Sequence, residues 1–288
     1  MRMNINGSTR LLAVLGDPVA HSLSPAMHNF ALSQLGLNYC YLPFPVQAAQ
    51  LRQAVDGLVA QKARGFNATI PHKEALFHLV DRLDEGARAI GAVNTVVIDD
   101  EGTTTGYNSD SYGFVTALEQ RFPGTVAGCS AVIIGAGGAT KAVVMALLMG
   151  GAAQITIANR TLSRSEALLQ QLSQTTAGRA ATLCQVVALA PEQLPLERCT
   201  LLINSSSVGM RGEPITAVDV NRLPDQAVVY DLIYRPAVTP LLAQASARGL
   251  RTFNGLGMLI HQGARAFQLW TGAEMPVAAV TDYLIRHQ

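Results

Sequence analysis

The stretch Ser130–Ile134 runs straight into Gly135-Ala136-Gly137-Gly138-Ala139-Thr140, and the chain then continues as an apolar helical segment, Ala139–Met149. Strand, glycine loop and helix in that order leave few folds open. Gly135 permits the tight turn, Gly137 lets backbone approach a pyrophosphate, and free N–H groups at the helix N-terminus meet its charge. Thr140 stands where the fingerprint usually has its third glycine, so the motif is imperfect. The residues that follow read as strand Gln154–Ala158, helix Ser163–Leu172, strands Cys184–Leu189, Thr200–Ser205 and Val228–Ile233, helix Pro240–Ala247 and strand Arg251–Phe253. That alternation is the pattern of a doubly wound nucleotide-binding domain.

The end of the second strand of this unit selects the nucleotide. It reads Asn159-Arg160-Thr161, with Ser163 and Arg164 after it. A site for NAD places a carboxylate there to accept from the ribose 2′-hydroxyl, and that carboxylate would repel a 2′-phosphate. This chain offers two guanidinium groups and a hydroxyl instead, which suit phosphate oxygens through paired, charge-assisted hydrogen bonds. NADP is the expected cofactor.

The N-terminal residues form an earlier alternation. Leu11–Gly16 reads as a buried strand, and Ser24 and Pro25 as the N-cap and first position of a helix carrying Met27, Phe30, Ala31 and Leu35 on one face, closed by Gly36. Strand Tyr39–Phe44, helix Ala48–Ala60, strand Arg64–Thr69, a helix after Pro71, and strands Ala92–Ile98 and Thr103–Gly106 around a polar turn complete a mostly parallel α/β sheet. A helix from Ser111 to Arg121 leads out of it. The closing helical segments, Leu256–Trp270 and Val277–Arg286, are too short to be a domain and must pack on one of the two units.

Composition narrows the partners. A chain of 288 residues suits two α/β domains, and 49% hydrophobic against 14% charged residues excludes disorder. A formal net charge of +1 and 6% aromatics give no nucleic-acid surface. Cys40, Cys129, Cys184 and Cys199 form no CxxC pair, and the six histidines have no metal-ligand spacing beside a carboxylate, so neither a disulfide framework nor a metal site is expected. Met1–Arg10 lacks an apolar signal core, and the longest apolar stretch, Ala142–Ala153, falls short of the roughly 20 residues of a membrane span. The expectation is a soluble cytoplasmic protein acting on a small molecule.

Polar residues gather at the strand ends of the first unit. They lie in Gly16–Pro25, Asn67–Lys73, Ala92–Thr95 and Gly106–Asp110. Ligands of open α/β sheets bind outside the carboxyl ends of the strands. Ser22 and Ser24 at a helix start suit a carboxylate, and Asn67, Thr69 and Asn94 can hydrogen-bond sugar-like hydroxyls. Singly, each also has a plain structural reading: Ser24 as an N-cap, Asn94 as a turn residue, Lys73 as a solvated helix charge.

Taken together, GDPVAHSLSPAMHN (Gly16–Asn29), NATIPHK (Asn67–Lys73), GAVNT (Gly91–Thr95), GYNSD (Gly106–Asp110), GAGGA (Gly135–Ala139), NRT (Asn159–Thr161), SVGM (Ser207–Met210), DLIYRPAVTPLL (Asp231–Leu242) and GMLIHQGARAFQLWTG (Gly257–Gly272) resemble the ordered motif set of shikimate dehydrogenases. The resemblance implies NADPH-dependent reduction of 3-dehydroshikimate to shikimate in aromatic amino acid biosynthesis. It implies two α/β domains with a cleft between them: a substrate domain, 1–111, completed by 256–288 as the last helices return to it, and a Rossmann domain, 112–255. Lys73 and Asp110 match the catalytic pair. Ser22 and Ser24 would hold the substrate carboxylate, Thr69, Asn94 and Gln262 its hydroxyls, with Tyr234 near the substrate. Gly135, Ala136, Gly137, Gly138, Ala139, Asn159, Arg160, Thr161, Arg164, Ile233 and Gly255 match cofactor-binding positions. No metal, membrane or nucleic acid is implied, and a homodimer is left open.

The chain departs from the family pattern in places. Ala68 replaces a valine, Ser109 a threonine, and Asn204-Ser205-Ser206-Ser207 stands where Asn-Ala/Cys-Thr/Ser is usual; the main chemical group types survive. Three rivals remain at this stage. A quinate or dual quinate/shikimate dehydrogenase is one, although Ser24 leans toward shikimate and the two arginines toward NADP. A catalytically silent nucleotide sensor would not need both Lys73 and Asp110. Another two-domain NADP enzyme, such as a folate dehydrogenase, would not need the paired serines.

Overall fold

The computed structural model describes residues 5–176 and 178–287. Of the polar N-terminal stretch, residues 1–4 lie outside the described residues. The chain divides into two units by its Cα packing: the residues up to Gly113 together with those from Leu259 onward, and Phe114–Met258.

The first unit holds β1 (Arg10–Gly16), α1 (Ser24–Gln34), β2 (Tyr39–Pro45), α2 (Leu51–Ala60), β3 (Gly65–Ala68), α3 (Lys73–Phe77), β4 (Arg82–Leu83), α4 (Glu85–Ile90), β5 (Thr95–Ile98) and β6 (Thr104–Tyr107). Its six strands lie in the order β2-β1-β3-β5-β6-β4. β1 pairs parallel with β2 and β3, and β4 parallel with β6, but β5 runs antiparallel to both β3 and β6. The sheet is therefore mixed. The polar turn at Asp99–Gly102 is a hairpin, closed by Asp99 Oδ1 accepting from Thr103 N at 2.7 Å. Ala92–Asn94, expected to be strand, instead lead into β5, with Ala92 and Val93 buried and the Asn94 amide bonded to Ser109 N and Asp110.

The core beneath this sheet is apolar, built from Leu15, Leu51, Phe66, Leu76 and Val96 among others. Trp270 is buried against it and donates from Nε1 to Val96 O at 2.9 Å. Gly65 is required there, since a Cβ would overlap both Trp270 Nε1 and Val96 O. Arg64 donates to Trp270 O at 3.0 Å and to Ile98 O at 3.1 Å, tying the last long helix to β5.

The helix α5 (Asp110–Arg121) begins in the first unit. The second unit then contains β7 (Ser130–Ile134), α6 (Gly138–Met149), β8 (Gln154–Asn159), α7 (Leu162–Thr175), α8 (Arg179–Leu183), β9 (Cys184–Ala188), β10 (Leu201–Asn204), β11 (Val228–Asp231), α9 (Pro240–Ala247) and β12 (Arg251–Asn254). The strands are all parallel, in the order β12-β11-β10-β7-β8-β9. This is the doubly wound order, with its switch point between β7 and β10. Near-continuous runs of Val, Ile and Leu fit strands covered on both faces. α10 (Leu256–Thr271) and α11 (Val277–Arg286) end the fold.

The four cysteines are buried free thiols, and burial pushes Cys129 and Cys184 up to about 11 and Cys199 to about 12. No helix among the described residues is long and apolar enough to cross a membrane. Among the described residues no group of three or more His, Cys, Asp or Glu could hold a metal ion.

Candidate active site

In the first unit the strand ends converge on one hydrogen-bonded chain. Tyr41, on β2, is fully buried and donates from its hydroxyl to Asn67 Oδ1 at 2.7 Å. Asn67, on β3, donates from Nδ2 to Asn94 O at 3.1 Å and to Thr95 Oγ1 at 3.0 Å. Thr95 Oγ1 donates to Asn94 Oδ1 at 3.0 Å, and Ser109 N donates to the same oxygen at 2.8 Å. The Asn94 amide is thereby oriented, and its Nδ2 reaches Asp110 Oδ1 at 2.8 Å. The other carboxylate oxygen, Oδ2, accepts from Lys73 Nζ at 2.6 Å.

Lys73 and Asp110 are thus a close ion pair, with side chains 17% and 7% exposed. α3 presents Lys73 at its first residue, and its backbone is anchored by Val93 N donating to Lys73 O at 2.8 Å. Asp110 opens α5, where the helix N-terminus favours a carboxylate. Both carboxylate oxygens are held, so Asp110 cannot swing away. Lys73 has three N–H groups, only one of which faces Asp110. Gln262, on α10, is 8% exposed and accepts from Ser109 Oγ at 3.4 Å.

Ser24 is not the N-cap of α1. Leu23 occupies that position without a side-chain cap, and Ser24 N donates to Ser22 Oγ at 3.2 Å. Ser24 already lies in the helix, so its own oxygen is released from capping and sits beside the Tyr41 hydroxyl. Thr69 follows β3, held by Thr69 N donating to Leu15 O at 2.9 Å.

The glycine loop of the second unit sits at the carboxyl end of β7. Gly135 has a φ of +114°, and a Cβ there would lie 2.9 Å from Ser205 Oγ and 3.1 Å from Ser206 N. Gly137 is exposed with open space where a Cβ would be. Gly138 and Ala139 lie in the first turn of α6, whose N–H groups have no intrahelical acceptor. Such a turn fits a pyrophosphate, whereas a side chain at Gly135 would close it. Asn159 Nδ2 donates to Thr161 O at 2.9 Å and Arg164 N to Thr161 O at 3.1 Å, shaping the turn after β8. Arg160 and Arg164 are exposed, and no carboxylate among the described residues pairs with either. Two unneutralised guanidiniums fit a 2′-phosphate. Ile233 and Gly255 meet at the ends of β11 and β12, with Gly255 N donating to Ile233 O at 3.1 Å.

Three family profiles match the chain: the shikimate dehydrogenase substrate binding domain over residues 14–96, shikimate/quinate 5-dehydrogenase over 117–192 and the shikimate 5′-dehydrogenase C-terminal domain over 255–282. The shikimate dehydrogenase (NADP(+)) of Magnetococcus marinus is 50% identical over 98% of each chain. The chain belongs to the shikimate dehydrogenase family. A shikimate dehydrogenase solved in complex with NADP+ superposes with a TM-score of 0.91 at 39% identity, covering 99% of this chain and 97% of that one. The shikimate 5-dehydrogenase of Listeria monocytogenes, solved with shikimate and NAD, gives 0.89 at 35% identity, covering 99% of each.

Against the expectation for a shikimate dehydrogenase, the structure brings Lys73, Asp110, Asn94 and Gln262 into one network and puts Ser22, Ser24 and Thr69 at the neighbouring strand and helix ends. Tyr234 lies in the second unit and is half-buried. Tyr41, Thr95 and Ser109 were not singled out from the sequence. Thr95 and Ser109 each carry a signal, their places inside Gly91–Thr95 and Asn108-Ser109-Asp110, whereas Tyr41 carries none. Of the family histidines, His28 is fully buried, stacked 4.4 Å from the Tyr41 ring, and burial lowers it to about 3. His72 Nε2 is 2.7 Å from Val46 O. Both have structural surroundings.

Proposed function

We propose that this chain catalyses the NADP-dependent, reversible reduction of 3-dehydroshikimate to shikimate, the first unit binding the substrate and the second the cofactor. Lys73 paired with an immobilised Asp110 is the observation that carries the reading. Bound NADP(H) supplies the hydride acceptor or donor. What remains for the protein is to fix the substrate and to move one proton at the reacting oxygen.

Oxidation of the alcohol removes a hydride from carbon and a proton from oxygen, and reduction of the ketone returns both. Lys73 Nζ takes or gives that proton, and Asp110 orients it and shares the substrate hydroxyl. Asn94 locks Asp110 and presents the same amide to a ring hydroxyl. Ser22 and Ser24 hold the carboxylate, Thr69 and Gln262 the remaining hydroxyls, and Tyr234 borders the substrate. Gly135, Ala136, Gly137, Gly138 and Ala139 form the loop and helix start against which the pyrophosphate lies. Asn159, Arg160, Thr161 and Arg164 receive the adenosine ribose and its phosphate, and Ile233 and Gly255 line the remainder. Shikimate is favoured over quinate by the NADP-type arginine pair and by a relative named for NADP(+) at 50% identity.

Initial rates with shikimate and with quinate, each against NADP+ and NAD+, test this. The expected result is turnover fastest with shikimate and NADP+. Equal or faster turnover with quinate and NAD+ overturns the assignment, and no turnover with any pair removes the enzymatic reading altogether.

A further inference from the structure

The glycine loop is held by two hydroxyls whose protons can be assigned. Ser205 Oγ donates to Ile134 O at 2.9 Å, which uses the only proton that hydroxyl has. Thr140 Oγ1 lies 2.9 Å from Ser205 Oγ, so Thr140 is the donor in that pair. Gly137 N in turn donates to Thr140 Oγ1 at 3.0 Å. A directed chain therefore runs from the Gly137 N–H through the Thr140 and Ser205 hydroxyls to the Ile134 carbonyl. It joins the last residue of β7, the middle of the loop, the first turn of α6 and the residue after β10. Ser205 N also donates to Ile134 O at 2.9 Å, fixing Ser205 against the strand end. Thr140 is completely buried, so its hydroxyl cannot exchange these partners for solvent. Thr140 occupies the position where a third glycine would leave the Gly137 N–H without a side-chain acceptor.

We propose that Thr140 and Ser205 form a latch that sets the Gly135–Gly137 turn in its phosphate-receiving shape before the cofactor arrives. They are positioning residues, acting through the backbone of the loop and not by touching the nucleotide. Because Gly137 N–H is committed to Thr140, the pyrophosphate is received by the N–H groups of Gly138 and Ala139. A loop already in its bound conformation loses less conformational entropy on binding, so the latch acts on cofactor affinity. This inference rests on the NADP reading above.

Calorimetric titration of the full chain with NADP+ tests it. Thr140→Val keeps the shape and deletes the hydroxyl with both of its links, and it is expected to weaken NADP+ about tenfold, the size of leaving the Gly137 N–H without its acceptor. Thr140→Ser restores the acceptor and is expected to recover affinity to about twofold of the unchanged chain. Ser205→Ala removes the two links beyond Thr140 but leaves Gly137 N–H its acceptor, and falls between. Adenosine 2′-monophosphate, which carries the 2′-phosphate without a pyrophosphate, binds Thr140→Val as it binds the unchanged protein; a general loss of structure would weaken both ligands. The proposal is overturned if Thr140→Val and Ser205→Ala both bind NADP+ as the unchanged chain does, or if Thr140→Ser is as weak as Thr140→Val. Failure of the unchanged chain to bind NADP+ overturns the cofactor reading itself, a separate result.

Discussion

In the first unit the polar side chains from Tyr41 to Lys73 are bonded to one another in sequence, ending on a carboxylate whose two oxygens both have donors. Around Gly135–Thr140 in the second unit the groups on offer to a ligand are backbone N–H groups, and the Thr140 and Ser205 side chains bond to the turn itself. The difference follows from the ligands each is built for. A small hydroxylated carboxylate must be told from near neighbours by where its oxygens lie, which demands oriented side chains. A pyrophosphate is charged and symmetric, and a helix N-terminus receives it without identity-bearing groups. One site is therefore sensitive to single side-chain deletions, and the other to anything that moves the backbone.

The largest effect belongs to the first unit. Lys73→Ala is expected to lower kcat by about 10²–10⁴-fold, the usual contribution of a positioned acid–base group, while the Kd for shikimate measured by calorimetry changes far less. A variant that lost only affinity would make the first site a binding site and erase the contrast. Next comes the double change Arg160→Ala with Arg164→Ala. It is expected to cut the preference for NADP+ over NAD+ by about 100-fold, since each charge-assisted contact to phosphate contributes roughly 1.5–3 kcal/mol. Competition of the two cofactors in initial-rate assays measures it, and unchanged selectivity would show that the exposed guanidiniums do not face the 2′-phosphate.

The two units also differ in the sense of their pH dependence. His28 is buried neutral and lowered to about 3 from an ordinary 6.5, so the unfolded chain binds the extra proton between those values. Stability of the first unit is then lost as pH falls from 6.5, by about 1.4 kcal/mol per pH unit. Trp270, the only tryptophan of the chain, lies 5.3 Å from the His28 ring and reports unfolding of this unit. His28→Phe is expected to flatten the acid limb of its urea midpoints; an identical limb would contradict the burial account. Asp231, at the end of β11, is raised by burial despite donation from Thr239, Ile233 and Asn204. Here the folded state binds the proton more tightly, so its contribution is fully present below the ordinary carboxylate pKa and is lost as pH rises through the raised one. Asp231→Asn is expected to remove that opposite slope, read by hydrogen exchange in β10 and β11 across mildly acidic pH.

The same division explains what could be read from the residues alone. Backbone-built sites announce themselves through glycine spacing and strand–helix order, so Gly135–Gly138 and the doubly wound unit were legible. The first unit was legible as a set of motif residues but not as a circuit. Tyr41 looked like any strand aromatic, and its closure on Asn67 depends on β1 lying between β2 and β3 in the sheet. β4 has two residues and α4 six, too short for periodicity to reveal. The reversal of β5 was hidden because an apolar run has no direction. Ser24 next to Pro25 satisfied the rules for a helix cap, yet Ser22 Oγ receives the Ser24 N–H and leaves Ser24 inside the helix. Thr140 read as a defect in a glycine fingerprint, whereas it receives the Gly137 N–H.

The most direct test of the whole account is the fate of the hydride. The chain should be given 3-dehydroshikimate with NADPH deuterated at one or the other C4 position, and the product analysed by mass. The account predicts shikimate one mass unit heavier with one of the two labelled cofactors and unshifted with the other. Product without deuterium from either, or no shikimate at all, would contradict it.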